Sequence, residues 1–178
     1  MAPMADVPSI RTFAADEWRL YRDLRLRALA DSPDAFGSTL VEEGGRPDDE
    51  WARRLASSAD MRVNLPLVAE MHGQLVGLAW GRIDTSKPDV AAFTQMWVAP
   101  PHRGSGVGQK LLEAVIAWAR ARNAASLDLG VTCGDSPARG LYERAGFKPM
   151  GEPQLLRPGS TLLAQPMRLA LKHRGRSV

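Results

Sequence analysis

Apolar residues in this chain recur with two clear periods. Val107, Leu111, Val115 and Ala119 fall at steps of four, which predicts a helix from Val107 to about Asn123. Trp18, Tyr21, Leu24 and Ala28 make a similar stripe within Ala14–Ala30, with Asp16 and Glu17 in the predicted first turn and Arg19, Arg22, Arg25 and Arg27 on what reads as a wet face. Pro47–Leu55 is a shorter helix with Trp51 and Leu55 facing inward. Strands are predicted at Val7–Phe13, Leu65–Glu70, Leu75–Ile83, Ala91–Val98 and Ser126–Thr132, the last with Leu127, Leu129 and Val131 alternating. His72-Gly73 marks a hairpin turn, and Gly77 and Gly81 imply bends or close packing. Ser136 and Pro137 start another helix and Gly146 ends it. Two strands, Gly151–Leu156 and Leu162–Leu171, are joined by Arg157-Pro-Gly-Ser. This order predicts one α+β domain over residues 1–178, with loose ends at 1–6 and 172–178 and a mixed, mostly antiparallel sheet of six to seven strands flanked by about four helices.

Composition narrows the class. The 178 residues are 44% hydrophobic and 24% charged, ordinary for a soluble domain. No apolar run approaches the roughly 20 residues of a membrane span, and the first residues lack the pattern of a signal peptide. A cytoplasmic location and no membrane partner are the default expectations. One cysteine, Cys133, excludes an internal disulfide, and His72, His102 and His173 show no metal-ligand spacing. The net charge of +3 is too small and too dispersed for a nucleic-acid module, and the Lys172–Arg176 run reads as a solvated end.

Chemistry concentrates in two stretches. After Met96-Trp97-Val98 come Ala99-Pro100-Pro101 and the loop Arg103-Gly104-Ser105-Gly106-Val107-Gly108, which runs into the 107–123 helix. A strand, a glycine loop and a helix start focus backbone N–H groups on one point and suit a phosphate or pyrophosphate. A glycine-rich turn with no ligand satisfies the same residues. The loop fails the Walker pattern, because Gln109-Lys110-Leu111 stands where Gly-Lys-Ser/Thr is needed. It fails the dinucleotide fingerprint too, since Gln109 takes the last glycine's place. The second stretch is Asp135-Ser-Pro-Ala-Arg-Gly-Leu-Tyr-Glu-Arg-Ala-Gly-Phe147, where Ala138, Leu141, Tyr142 and Ala145 share one helix side. On its own, Tyr142 reads as a buried aromatic.

Arg103-x-x-Gly106-x-Gly108 after Val-Ala-Pro, followed by Leu141-Tyr142-Glu143-x-x-Gly146-Phe147, resembles the two motifs of the GNAT N-acetyltransferases. The resemblance covers residues 65–171 well and Ala14–Leu55 more loosely. It implies an enzyme that moves an acetyl group from acetyl-CoA to a primary amine by direct attack. The Arg103–Gly108 loop would hold the pyrophosphate, with Arg103, Gly104, Ser105, Gly106, Val107 and Gly108 as its residues. Met96, Trp97 and Val98 would pair with the pantetheine arm, and Tyr142 would protonate the departing thiolate. Asp135 stands where the family usually has Asn, so it keeps an acceptor and loses an amide donor. Arg139 would reach the phosphates or pair with Glu143 at i+4.

The family's frequent glutamate base is missing, for Thr94 and Ala92 occupy its two usual places. A water relay near Gln95 or Thr94 replaces it in this reading, with Asp128 and Glu43 as weaker candidates. A covalent route through Cys133 is disfavoured by the lack of a nearby histidine. The acceptor is expected to be a small-molecule amine, with a protein or peptide amine as the alternative. A non-catalytic acetyl-CoA sensor is the competing class. No metal is expected. A homodimer is common in the family, although no residue here demonstrates one.

Overall fold

A computed structural model describes residues 7–171. The ends at 1–6 and 172–178, including the basic Lys172–Arg176 run, lie outside the described residues. The elements are β1 (Ser9–Thr12), α1 (Trp18–Asp31), α2 (Leu40–Gly44), α3 (Asp48–Ala56), β2 (Asn64–Met71), β3 (Gln74–Asp84), β4 (Lys87–Val98), α4 (Val107–Ala121), β5 (Ser126–Thr132), α5 (Pro137–Ala145), β6 (Lys148–Pro149), β7 (Gln154–Leu155) and β8 (Leu163–Ala170). The sheet has eight strands among the described residues, in the order β1-β2-β3-β4-β5-β8-β6 with β7 on β8. Every pairing is antiparallel except β4 with β5. The one strand beyond the seven expected is β6, which has only two residues and is too short for a period to show.

Two apolar clusters sandwich the sheet. On one face α4 lays Val107, Leu111, Val115 and Ala119 against Leu67, Ala79, Phe93 and Leu127. Gly77 and Gly81 of β3 make that contact possible. A Cβ on Gly77 would lie 2.9 Å from the Trp97 carbonyl oxygen, and one on Gly81 would lie 3.1 Å from both Val115 and Trp118. On the other face α1 and α3 bury Tyr21, Leu24, Leu29, Trp51 and Leu55 over Val68, Leu78, Trp80 and Trp97.

Several local expectations are corrected. α1 begins at Trp18, so Asp16 and Glu17 precede it. The Glu17 carboxylate accepts from the Ala14 N–H (2.8 Å) and pairs with Arg11 (2.8 Å), which holds 14–17 in a turn. Arg25 is not on a wet face: it is 4% exposed. The supposed loop at Asp84–Asp89 is a tight turn, because Asp84 pairs with Lys87 and β4 runs from there. Glu42–Arg46 does not simply continue a loop, since Thr39 and Glu42 close a capping box that starts α2. The strand expected over Gly151–Leu156 is reduced to β7.

Candidate active site

The parallel β4–β5 pairing is short. Val90, Ala91 and Ala92 match Ser126, Leu127 and Asp128, and no further pairing of these strands exists among the described residues. On its other edge β5 pairs with β8 along its whole length, from Ser126↔Ala170 to Thr132↔Ala164. Thr94 is consequently exposed although its strand is central. A β-bulge sits at this point. Gln95 has φ +58°, and the β3–β4 register shifts between Leu78 and Trp80. A left-handed residue that is not glycine costs on the order of 1 kcal/mol or more and marks a re-aimed backbone.

The strand end splits its side chains between the two faces. Met96 and Val98 pack toward α4 and α5, each within 4 Å of where a Gly108 Cβ would stand. Trp97 points the other way into the α1 cluster, and its indole N–H donates to Asp31 at 2.9 Å. The glycine loop then turns through Gly104 (φ +77°) and Gly106 (φ +87°), conformations that glycine adopts without strain. A Cβ at either position would meet nothing within 4 Å, so open space lies over this backbone. The first N–H of α4 with a partner is that of Lys110, to the Gly106 carbonyl at 3.0 Å. Those of Val107, Gly108 and Gln109 are the orphan donors of a helix start, where an anion is favoured. Ser105 is exposed, and its hydroxyl donates to the His102 carbonyl.

Arg103 is committed differently from the sequence expectation of a ligand donor. Its Nε donates to the Val98 carbonyl (3.0 Å), and its Nη2 to the Asp31 carboxylate. Asp31 gathers Ser32, Trp97 and Arg103, which hold its pKa down at about 2. This carboxylate ties the end of α1 to the end of β4 and to the glycine loop. The Arg103 network joins residues 72 positions apart, so no local signal announced it.

α5 brings the second motif to the same place. Ser136 caps it by accepting from the Arg139 N–H (3.2 Å), Pro137 opens it, and Gly146 closes it at φ +101°. Leu141 lies 3.4 Å from a Gly108 Cβ, which fixes α5 against the start of α4. Tyr142 is 5% exposed and sits edge-on to Phe93 of β4 (6.1 Å) and beside Phe147 (5.8 Å). Its hydroxyl has no protein partner among the described residues, and burial pushes its pKa up. Asp135 and Arg139 line an open pocket of about 400 Å³ with Ser136, Pro137, Gly140 and Glu143. Arg139 donates to Glu143 at 2.9 Å, the i+4 pair.

The weaker base candidates are both engaged. Asp128 takes two bonds of 2.7 Å from Arg168. Glu43 is 3% exposed and accepts from Arg54 at 2.9 Å. Cys133 is exposed, its backbone N–H bonded to the Leu163 carbonyl.

The acetyltransferase (GNAT) family model matches residues 18–147, a span that includes the glycine loop, Tyr142 and most of both sheet faces. The chain belongs to this family. Among curated relatives, a mycothiol acetyltransferase of Clavibacter sepedonicus is 27% identical over 140 residues, 79% of this chain and 42% of the relative. The chain spans about half the length of the curated relatives it matches. Solved GNAT folds superpose along nearly their whole length. A ribosomal-protein-alanine N-acetyltransferase from Brucella melitensis has a TM-score of 0.75 at 24% identity, covering 92% of this chain and 99% of that one. The protein yncA from Salmonella typhimurium, solved with its cofactor acetyl-CoA, has a TM-score of 0.76 at 20% identity, covering 95% and 96%. At such identities the likeness shows the fold alone. Sequence reasoning missed Asp31, Tyr21 and Arg25 as members of this region. Arg25 carried a usable signal, standing four residues after Tyr21 and four before Leu29 on the buried stripe.

Proposed function

We propose that this chain is an acetyl-CoA-dependent N-acetyltransferase acting on the primary amine of a small molecule by direct attack. The observation that carries the reading is the convergence of three features at the β4–β5 splay: an unpaired strand edge, a helix start with orphan N–H groups beneath open glycines, and a buried tyrosine ring whose hydroxyl has no protein partner among the described residues. The strand edge beyond Ala92 has main-chain groups for an extended amide-bearing arm, and the α4 start has donors for a pyrophosphate. Met96, Trp97 and Val98 line the first through their backbone, and the Arg103–Gly108 loop forms the second. Asp135 and Arg139 border the pocket beside it. Acetyl-CoA supplies the thioester.

The amine lone pair attacks the thioester carbonyl, and the C–S bond breaks. Tyr142 gives its proton to the departing sulfur and regains one from solvent. The proton shed by the amine leaves through the open cleft at Thr94, where no carboxylate stands. A tyrosine held as a phenol by burial is a donor throughout the neutral range. The relatives' names do not separate the acceptor classes, since one is a mycothiol acetyltransferase and another acts on a ribosomal-protein alanine. The small-molecule preference rests on the loop between α1 and α2, which reaches across the splay. Thr132 donates to the Asp34 carbonyl, and Arg157 donates to those of Pro33 (3.0 Å) and Phe36 (2.7 Å). Such a bridge narrows the acceptor side.

The test is thiol release from acetyl-CoA across small amines and peptides with free N-termini, in the parent and in Tyr142→Phe. The variant is expected to lose about 10²-fold or more in kcat while retaining acetyl-CoA affinity by calorimetry. The parent's kcat/KM should rise with pH as the acceptor amine loses its proton, with no fall assignable to Tyr142 below about pH 10. Turnover with peptides alone would move the acceptor to proteins. Acetyl-CoA binding without turnover on any amine would make the chain a sensor.

A further inference from the structure

A charged residue on the apolar stripe of a helix needs compensation. Helical spacing places Arg25 between Tyr21 and Leu29, both fully buried, and Arg25 itself is 4% exposed. Its Nε and Nη1 are buried and have no hydrogen-bond partner among the described residues. Its Nη2 comes only to 4.0 Å from the Glu43 carboxylate, too far for a bond. Glu43 is already occupied by Arg54 (2.9 Å) and flanked by Arg46 (3.5 Å), which in turn pairs with Glu50. Three guanidiniums, Arg25, Arg46 and Arg54, therefore face two carboxylates, Glu43 and Glu50. One positive charge is left over, and it falls on the most buried member. Arginine does not relieve the cost by losing its proton. The Phe36 ring over the guanidinium, 4.5 Å away, adds attraction but accepts no conventional hydrogen bond.

The surplus lies on the acceptor side of the splay. One turn before Arg25, the Tyr21 hydroxyl donates to the Gln95 side chain at 2.7 Å, at the bulge beside exposed Thr94. Phe36 belongs to the same loop that Thr132 and Arg157 tie across the splay.

We propose that Arg25 receives the carboxylate of the acceptor, so that the amine acetylated here belongs to an α-amino acid or a close analogue with a free acid group. A single negative charge matches the surplus, whereas a phosphate dianion beside Glu43 would overshoot it. Arg25 stands one helical turn after Tyr21, whose hydroxyl reaches the bulge, so the guanidinium and the cleft share one face of α1. An acceptor that carries an acid group close to its amine suits that pairing, whereas a polyamine brings only more positive charge. The inference rests on the acetyl-transfer reading above.

The experiment compares each common primary-amine α-amino acid with its α-carboxamide as acceptor, in the parent, Arg25→Gln and Arg25→Lys, following thiol release. In the parent at least one acid is expected to exceed its amide by about tenfold or more in kcat/KM. In Arg25→Gln that ratio is expected to fall to within about twofold through a rise in KM for the acid, with Arg25→Lys between the two. A parent that uses amides as well as acids, or a ratio that survives Arg25→Gln, overturns the proposal. If neither series is acetylated, thermal melting with CoA and each acid or amide reads the site without turnover. A rise specific to acids and absent in Arg25→Gln then keeps the carboxylate site while the transfer reading fails. No such rise overturns the site as well. Should Arg25→Gln not fold, the parent's acid-to-amide ratio and the charge-keeping Arg25→Lys still decide.

Discussion

Asp31 illustrates how one side chain serves two parts of the molecule. It closes α1, and it accepts from the indole of Trp97 and the guanidinium of Arg103. Its pKa of about 2 in the fold lies below the roughly 3.9 of an unfolded aspartate, so its ionised form is favoured by folding. The sign follows: the contribution is complete above about pH 4 and disappears as pH falls through the folded value. Asp31→Ala is expected to lower Tm clearly at pH 7, with the gap to the parent narrowing between pH 4 and pH 2. A constant gap across that window, measured by circular dichroism, would assign the effect to packing instead of charge. Arg103 in this variant loses its partner near the glycine loop, so acetyl-CoA affinity should become more dependent on salt.

At the scale of elements, α4 on β3 is the contact that the whole face of the candidate site depends on. Gly77→Ala puts a methyl 2.9 Å from the Trp97 carbonyl oxygen and 3.2 Å from Val107, on a strand neighbour and a helix start that both belong to the candidate site. We expect a loss of about 1–3 kcal/mol in urea unfolding, as for other overpacked interiors, and weaker acetyl-CoA binding from the displaced Val107. Elements are also where the sequence was most legible. Val107, Leu111, Val115 and Ala119 form a four-residue stripe that is fully buried, and Ser136, Pro137 and Gly146 each occupy the cap position their chemistry suits. What stayed hidden had physical reasons. α2 is a single short turn with no period to detect. Glu43 is buried by arginines contributed from three separate stretches, and Arg25 was disguised by its charge although its spacing marked it as internal. The left-handed Gln95 is imposed by the bulge, and glutamine carries no preference for that conformation.

Across the molecule, the sheet is two antiparallel halves joined by three parallel residue pairs. α4 packs mainly on β2, β3 and β4, whereas α5 reaches the first half through Tyr142 against Phe93 and Leu141 near Gly108. A ligand seated between the halves should therefore change the protection of the first half's open edge. Hydrogen exchange is expected to slow at Gln95–Val98 and Arg103–Gly108 when acetyl-CoA is added, with little change in the β5–β8 ladder. Uniform slowing throughout the sheet would instead indicate global stabilisation by mass action.

The exposed strand edge at Thr94 also bears on self-association. Unpaired edges on a protein's rim invite other chains to add strands and to aggregate. This one lies inside the sheet, bounded by β5 on one side and crossed by the loop at Asp34 and Phe36. An edge held between two strands of its own sheet is not laid along the rim, where another protein's sheet could extend it. The chain thus keeps open main-chain groups on β4 without the aggregation hazard that an outer edge carries.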